Sequence, residues 1–149
     1  MAFYDDIDTT QKYRVLKTVP DVANRQFRYL KGVASTVAGS AVTYDEAGLT
    51  ALIDTDTAAT IIGPVAVAMA ATVASTWGWY CVYGSCTVQA GDVADNGVPY
   101  ATSTAGRLDD AAASIGRIWG AVFRSVDTSG STSATIQLSY PSIGPDLSA

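Results

Sequence analysis

The sequence predicts a mainly β protein, a single compact β-barrel or β-sandwich domain, and three observations predict it. Small and β-branched residues dominate, while Lys, Glu, Gln and Leu are scarce and Glu46 is the one glutamate. Val and Thr suit strands, and Gly and Ser suit turns. Apolar side chains recur with a period of two over several stretches, which is the period of a strand and not of a helix. Gly-, Ser- and Asp-containing turns punctuate those stretches every few residues. A chain of 149 residues is the size of one domain with one real core.

Residues 1–26 show no clear period and read as an extended N-terminal arm, broken at Pro20-Asp21, with a short helical turn near residues 22–26. The β domain is placed at residues 27–141. Within it, Val65, Val67, Met69, Ala71 and Val73 alternate with Ala66, Ala68, Ala70 and Thr72, which puts large side chains on one face and small ones on the other. Ala134, Ile136, Leu138 and Tyr140 alternate with Ser133, Thr135, Gln137 and Ser139, the pattern of a half-buried strand. Asp95-Asn96-Gly97 is a tight-turn signal and Ser129-Gly130-Ser131 a loop tip. Pro141 and Pro145 are expected to end the last strand and leave residues 142–149 as a tail.

A weak internal repeat points to two similar β units. Tyr29-Leu30-Lys31-Gly32 leads through Gly39 to Val42-Thr43-Tyr44, and Cys81-Val82-Tyr83-Gly84 leads through Gly91 to Val98-Pro99-Tyr100. Each tyrosine is followed by a glycine turn, at Gly48 and Gly106, then by an Asp/Ala-rich stretch. Gly63 and Gly116 then open a strand in each half, and each half closes on an aromatic-bearing strand, residues 77–83 or 134–140. On this reading the second unit begins on the strand that ends the first.

Charge is sparse and uneven. Charged residues make up 15% of the chain, below the ~25% usual for soluble domains, so much of the surface is suited to being covered by partners. Net charge is −5, and an acidic body argues against direct nucleic-acid binding, which needs a basic footprint. Residues 1–31 carry six basic groups against four acids, and residues 32–149 carry three against ten. The leader is therefore a candidate docking arm for an acidic surface, such as the body of a neighbouring copy; the alternative is a solvated tail. The first residues lack the basic and apolar regions of a signal peptide. The charge-free stretch over residues 61–83 is long enough to span a bilayer. However, Pro64, Gly63 and Gly78 interrupt it, its bulk is Ala, Thr and Ser, and no Lys or Arg flanks it, so no membrane span is expected.

The chain has no histidine, which removes the commonest general base and both Ser-His-Asp and Cys-His arrangements. Cys81 and Cys86 alone do not close a zinc shell. No GxSxG, P-loop or GxGxxG is present. The paired aspartates, Asp5-Asp6 with Asp8, Asp54 with Asp56 and Asp109 with Asp110, are better read as loop and turn-capping residues than as a metal or acid–base site, because no spacing supplies six oxygens. The expectation is a non-enzyme with no cofactor and no metal. Cys81 and Cys86 would face each other if Tyr83-Gly84 were a hairpin turn; the alternative is a pair of small buried thiols.

The candidate partner-binding residues lie in two places. Phe3, Tyr4, Lys12, Arg14, Lys17 and Arg25 belong to the arm. Trp77 and Trp79 belong to the group Trp77-Gly78-Trp79-Tyr80, whose alternation puts Trp77, Trp79, Cys81 and Tyr83 on one side. Core packing, a subunit interface and a sugar-binding platform are the readings open to that group.

The run from Phe27 to Gly48 (FRYLKGVASTVAGSAVTYDEAG) resembles the start of small phage virion proteins. The later order is similar too: GPVAVA at 63–68, WGWYCVYG at 77–84, TAGRLDD at 104–110 and SYP at 139–141. The family resembled is that of tailed-bacteriophage head decoration, or cement, proteins, over residues 27–141. The likeness lies in the order of Gly-punctuated strands and carries no catalytic residues. It implies an accessory structural protein of the virion, on the outer surface of the capsid and assembled in the host cytoplasm. It would bind the major capsid protein and neighbouring copies of itself, as a dimer or trimer, and stabilise the head. A tail or fibre module and a carbohydrate-binding β-sandwich are the competing expectations.

Overall fold

A computed structural model describes residues 4–20, 23–55, 62–94, 96–111, 116–126 and 132–144. Its named elements are all strands: β1 (Ile7–Asp8), β2 (Thr18–Pro20), β3 (Gln26–Lys31), β4 (Ala41–Tyr44), β5 (Thr50–Leu52), β6 (Gly63–Ala68), β7 (Trp77–Gln89), β8 (Tyr100–Ala101), β9 (Leu108–Asp109), β10 (Arg117–Phe123) and β11 (Ser133–Gly144). They form one 11-stranded sheet in which every strand pairing is antiparallel. The mainly β expectation therefore holds. No helix among the described residues is long and apolar enough to cross a membrane.

The pairing repeats itself. In the first half the strands neighbour one another in the order β3-β7-β6-β4-β5. In the second half the order is β7-β11-β10-β8-β9. Element for element these are the same topology, and β7 is the last strand of one unit and the first of the next. Small details repeat as well. Lys31 bridges Leu49 in parallel, and Ala90 bridges Leu108 in parallel. Gly48 and Gly106, the turn glycines, both have positive φ, at 75° and 81°. The tips of the two halves meet through loop hydrogen bonds: the Gly106 amide donates to Ile53, and the Ala41 amide donates to Gly106.

The sheet curls around one large core, formed by Phe27, Tyr29, Val65, Val67, Trp79, Cys81, Cys86, Val88, Leu108, Ile118, Phe123, Ile136 and Ile143, among others. A smaller cluster, Leu30, Val42, Ala66, Ala68, Tyr80 and Val82, lies on the opposite face of β3, β4, β6 and β7. These central strands are thus apolar on both faces, as strands buried on both sides must be. Burial of each such large side chain contributes about 1.5–3 kcal/mol.

Two bulges change which face a residue occupies. Opposite Phe27 and Gln26, β7 pairs through Cys81 and then Tyr83, so Val82 is an extra residue. Val82 faces the small cluster and Tyr83 follows it outward, while Cys86 and Val88 return to the large core. Gly84, at φ 94°, allows the bend, and Arg25 Cγ lies 2.8 Å from where its Cβ would be. Tyr83-Gly84 is therefore no hairpin turn, because β7 runs on to Gln89. Cys81 and Cys86 are free thiols in the same core, brought together by the bulge. Hydrogen bonding to Cys81 and burial push the Cys86 thiol well up.

The second bulge lies between β10 and β11. Trp119 pairs with Ser142 and Ala121 with Leu138, so Gly120 faces three residues, Ser139, Tyr140 and Pro141. This is why Pro141 does not end the last strand: it sits in the bulge, where no ladder amide is needed, and β11 continues to Gly144. The boundary expected after residue 141 thus falls inside a strand. The alternating run of residues 65–73 also divides, since β6 stops at Ala68 and the chain then turns, with Ser75 at φ 64°. Gln26 opens β3 and does not close a helical turn. Asn96-Gly97 forms the expected turn, with the Gly97 amide donating to Ala94 at 3.0 Å. Asp95 and Ser129-Gly130-Ser131 lie outside the described residues.

Candidate binding surface

The leader is built into the body. β1 pairs with β7 and β2 with β3. Asp8 is buried and its Oδ2 accepts a hydrogen bond from the Tyr29 hydroxyl at 2.8 Å. Lys12 Nζ pairs with Asp8 Oδ1 at 3.2 Å, and the Lys12 amide donates to the Tyr29 hydroxyl. Burial is the main cause that pushes the Tyr29 phenol up to about 12; the Asp8 hydrogen bond adds to it. Asp8 raises the Lys12 ammonium, by hydrogen bond first and then by charge.

The other candidate arm residues are placed as follows. Tyr4 stacks on Phe27 at 5.2 Å, with the Arg25 guanidinium 4.7 Å from the Tyr4 ring and 5.2 Å from the Phe27 ring. Lys17 lies 4.7 Å over Tyr13. Arg14 is exposed, beside Glu46 across a shallow cleft. Phe3 lies outside the described residues. Where it is described, the arm expected over residues 1–26 lies along the chain itself: Tyr4 and Arg25 pack on Phe27, the Lys12 amide reaches Tyr29, and Lys17 covers Tyr13.

Of the three readings open to the tryptophans, core packing is the one that their placement supports. Trp79 is buried in the large core, 5.0 Å from the Tyr29 ring, and Trp77 packs against that core beneath Lys31. Alternation alone could not choose between the faces, because both faces of β7 are apolar.

What the outer face presents instead is three aromatics on three neighbouring strands: Tyr83 on β7, Tyr140 on β11 and Trp119 on β10. They are 39%, 55% and 43% exposed, which for rings of this size is ample area for contact. No family model, curated protein or solved structure matches the chain.

Tyr83 and Tyr140 close their respective units, and their rings meet at 5.3 Å with a 39° tilt. With Pro20, Asn24, Arg25 and Gln26 they line a cleft of about 590 Å³. Trp119 carries the Arg117 guanidinium 3.8 Å over its ring. Neither Tyr140 nor Trp119 was singled out from the sequence; the available signal was the pair of glycines, Gly84 and Gly120, that mark the bulges. A separate groove of about 700 Å³ runs past Leu16, Arg28, Tyr44, Leu49 and Ile62, where Arg28 donates to the Tyr44 hydroxyl at 3.1 Å.

Three aspartates act on backbone. Asp45 Oδ1 accepts the amides of Ala47 and Leu49, each at 3.0 Å. Asp109 Oδ1 accepts the Ala111 amide and Asp110 Oδ2 the Ala94 amide. Burial raises the Asp109 carboxyl. Among the described residues no group of three or more His, Cys, Asp or Glu side chains could hold a metal; Asp56 lies outside them.

Proposed function

We propose that the chain is a structural virion protein, a decoration or cement protein that binds the outside of a phage head and stabilises it. The observation that carries this reading is the Trp119–Arg117 stack on the outer face of β10. Trp and Arg are the residues that most often dominate protein–protein affinity, and a guanidinium already seated on the indole leaves little rotamer freedom to lose on binding. The sparse charge of the chain, the lack of histidine and the resemblance of residues 27–141 to decoration proteins support the same reading. On this reading the partners are the major capsid protein and neighbouring copies of the chain, and the many identical contacts of a lattice multiply a modest single affinity.

The test is co-sedimentation of purified protein with heads and with tails of the phage that encodes it. Saturation on heads at a fixed ratio to coat protein is expected. Trp119→Ala should weaken it by about 30-fold or more, the loss of one hot spot worth ~2 kcal/mol. Binding confined to tails would favour a tail or fibre module, and binding to neither would overturn the proposal.

A further inference from the structure

We propose that the cleft beside the touching rings of Tyr83 and Tyr140 binds a neutral oligosaccharide, with one or two pyranose rings laid on the platform that they form. The inference is independent of the capsid reading, which rests on Trp119.

Three features of the cleft point to a ligand. First, it is shaped by unusual backbone. Tyr140 is held at φ 50° and Asn24 at φ 59°. For a bulky aromatic the left-handed region is a genuine outlier, and such conformations concentrate at binding sites. Second, the Tyr140 ring is fixed from both ends, by the bulge at its backbone and by a hydrogen bond from its hydroxyl to Gln26 Oε1. The Tyr140 ring is also packed against Tyr83, so little side-chain entropy remains to be lost when a ligand arrives. Third, the cleft's volume, about 590 Å³, falls in the range of small-ligand sites.

The lining selects the chemistry. Among the described residues no Asp, Glu or Lys lines the cleft; Asp21, next to Pro20, lies outside them. Arg25, the one charged group of its described lining, has its guanidinium over the rings of Tyr4 and Phe27, which holds the charge to one side. What remains are two aromatic faces and the amides of Asn24 and Gln26, which offer both donors and acceptors. A neutral pyranose matches this set, with an apolar C–H face for the rings and hydroxyls that both donate and accept. A proline-rich peptide matches less well. It needs slots between separated aromatics, and these two rings touch and present one continuous platform.

The experiment is a titration of the full-length protein with neutral oligosaccharides (α- and β-glucans, mannans, galactans and chitin fragments), with chemical shifts of the tyrosine ring protons followed by NMR. Saturable shifts at Tyr83 and Tyr140 are expected with at least one of these. Both side chains are exposed, so the variants should fold. Tyr83→Ala and Tyr140→Ala should each weaken binding by about tenfold or more, while Trp119→Ala leaves it unchanged. No shift at these rings with any member of the panel overturns the proposal. So do affinities unmoved by the two tyrosine variants, or a proline-rich peptide or an acidic glycan that binds where the neutral glycans do not.

Discussion

Removing the Asp8 carboxylate tests whether the leader belongs to the fold. In Asp8→Ala the Tyr29 hydroxyl, on a fully buried side chain, loses the acceptor that lies 2.8 Å away. A buried donor left without a partner costs about 1–3 kcal/mol. The Lys12 ion pair adds little, because the Lys12 side chain is 65% exposed and water screens it. The expected loss is therefore about 1–3 kcal/mol, read from urea denaturation. The effect should also be local. Amides of β1 and of the Lys12 turn should lose protection from hydrogen exchange before the central strands do. Tyr29→Phe in the Asp8→Ala background removes the orphaned hydroxyl, so the double variant should be more stable than the two single losses added together. Strict additivity, or a loss below about 0.5 kcal/mol for Asp8→Ala, would refute the reasoning, since surface changes outside such networks stay within that range.

Two further outcomes follow from the bulge and from the same tyrosine. Gly84→Ala forces a Cβ into the left-handed region and against Arg25, and should cost about 1–2 kcal/mol in a thermal melt, whereas Ser85→Ala on the exposed face should cost almost nothing. The Tyr29 phenol has its pKa raised from 10.0 to about 12, so its contribution to stability is full below pH 10 and is lost as the pH rises from 10 through about 12. Over that window the melting temperature of the native chain should fall more steeply than that of Tyr29→Phe; parallel curves would show that the raised value is not a folded-state property.

Much of the architecture was legible because its causes are local. The alternation of Ala134, Ile136 and Leu138 is a direct consequence of a strand with one buried face, and β11 shows it. The glycine-marked repeat anticipated a topology in which β7 is shared, because turns need their glycines at fixed places in each unit. The faces were harder. Counting by twos from Trp77 puts Tyr83 beside Trp79, yet one extra residue, Val82, turns it to the other side. Period-two reasoning does not survive a bulge. The two-residue strand β1 carries too few positions to show a period, so its pairing with Gly78 and Trp77 could not be read from the pattern. Tyr140 entered the pattern as one more inward residue; it points outward because Ser139, Tyr140 and Pro141 must fit opposite a single glycine.

The shared strand also bears on how the chain must assemble over time. Up to Tyr83, β7 finds partners in β1, β3 and β6, all earlier in the chain. From Tyr83 to Gln89 its ladder partner is β11, the last of the described strands. Half of the longest described strand therefore waits with an open edge until β11, more than forty residues later, arrives, and β11 must insert between β7 and β10 rather than add at a margin. Contacts that distant in sequence make folding slow, and an open edge offers itself to any other strand meanwhile. Ser85 and Thr87, exposed and polar on that edge, lower the risk of mispairing during the wait.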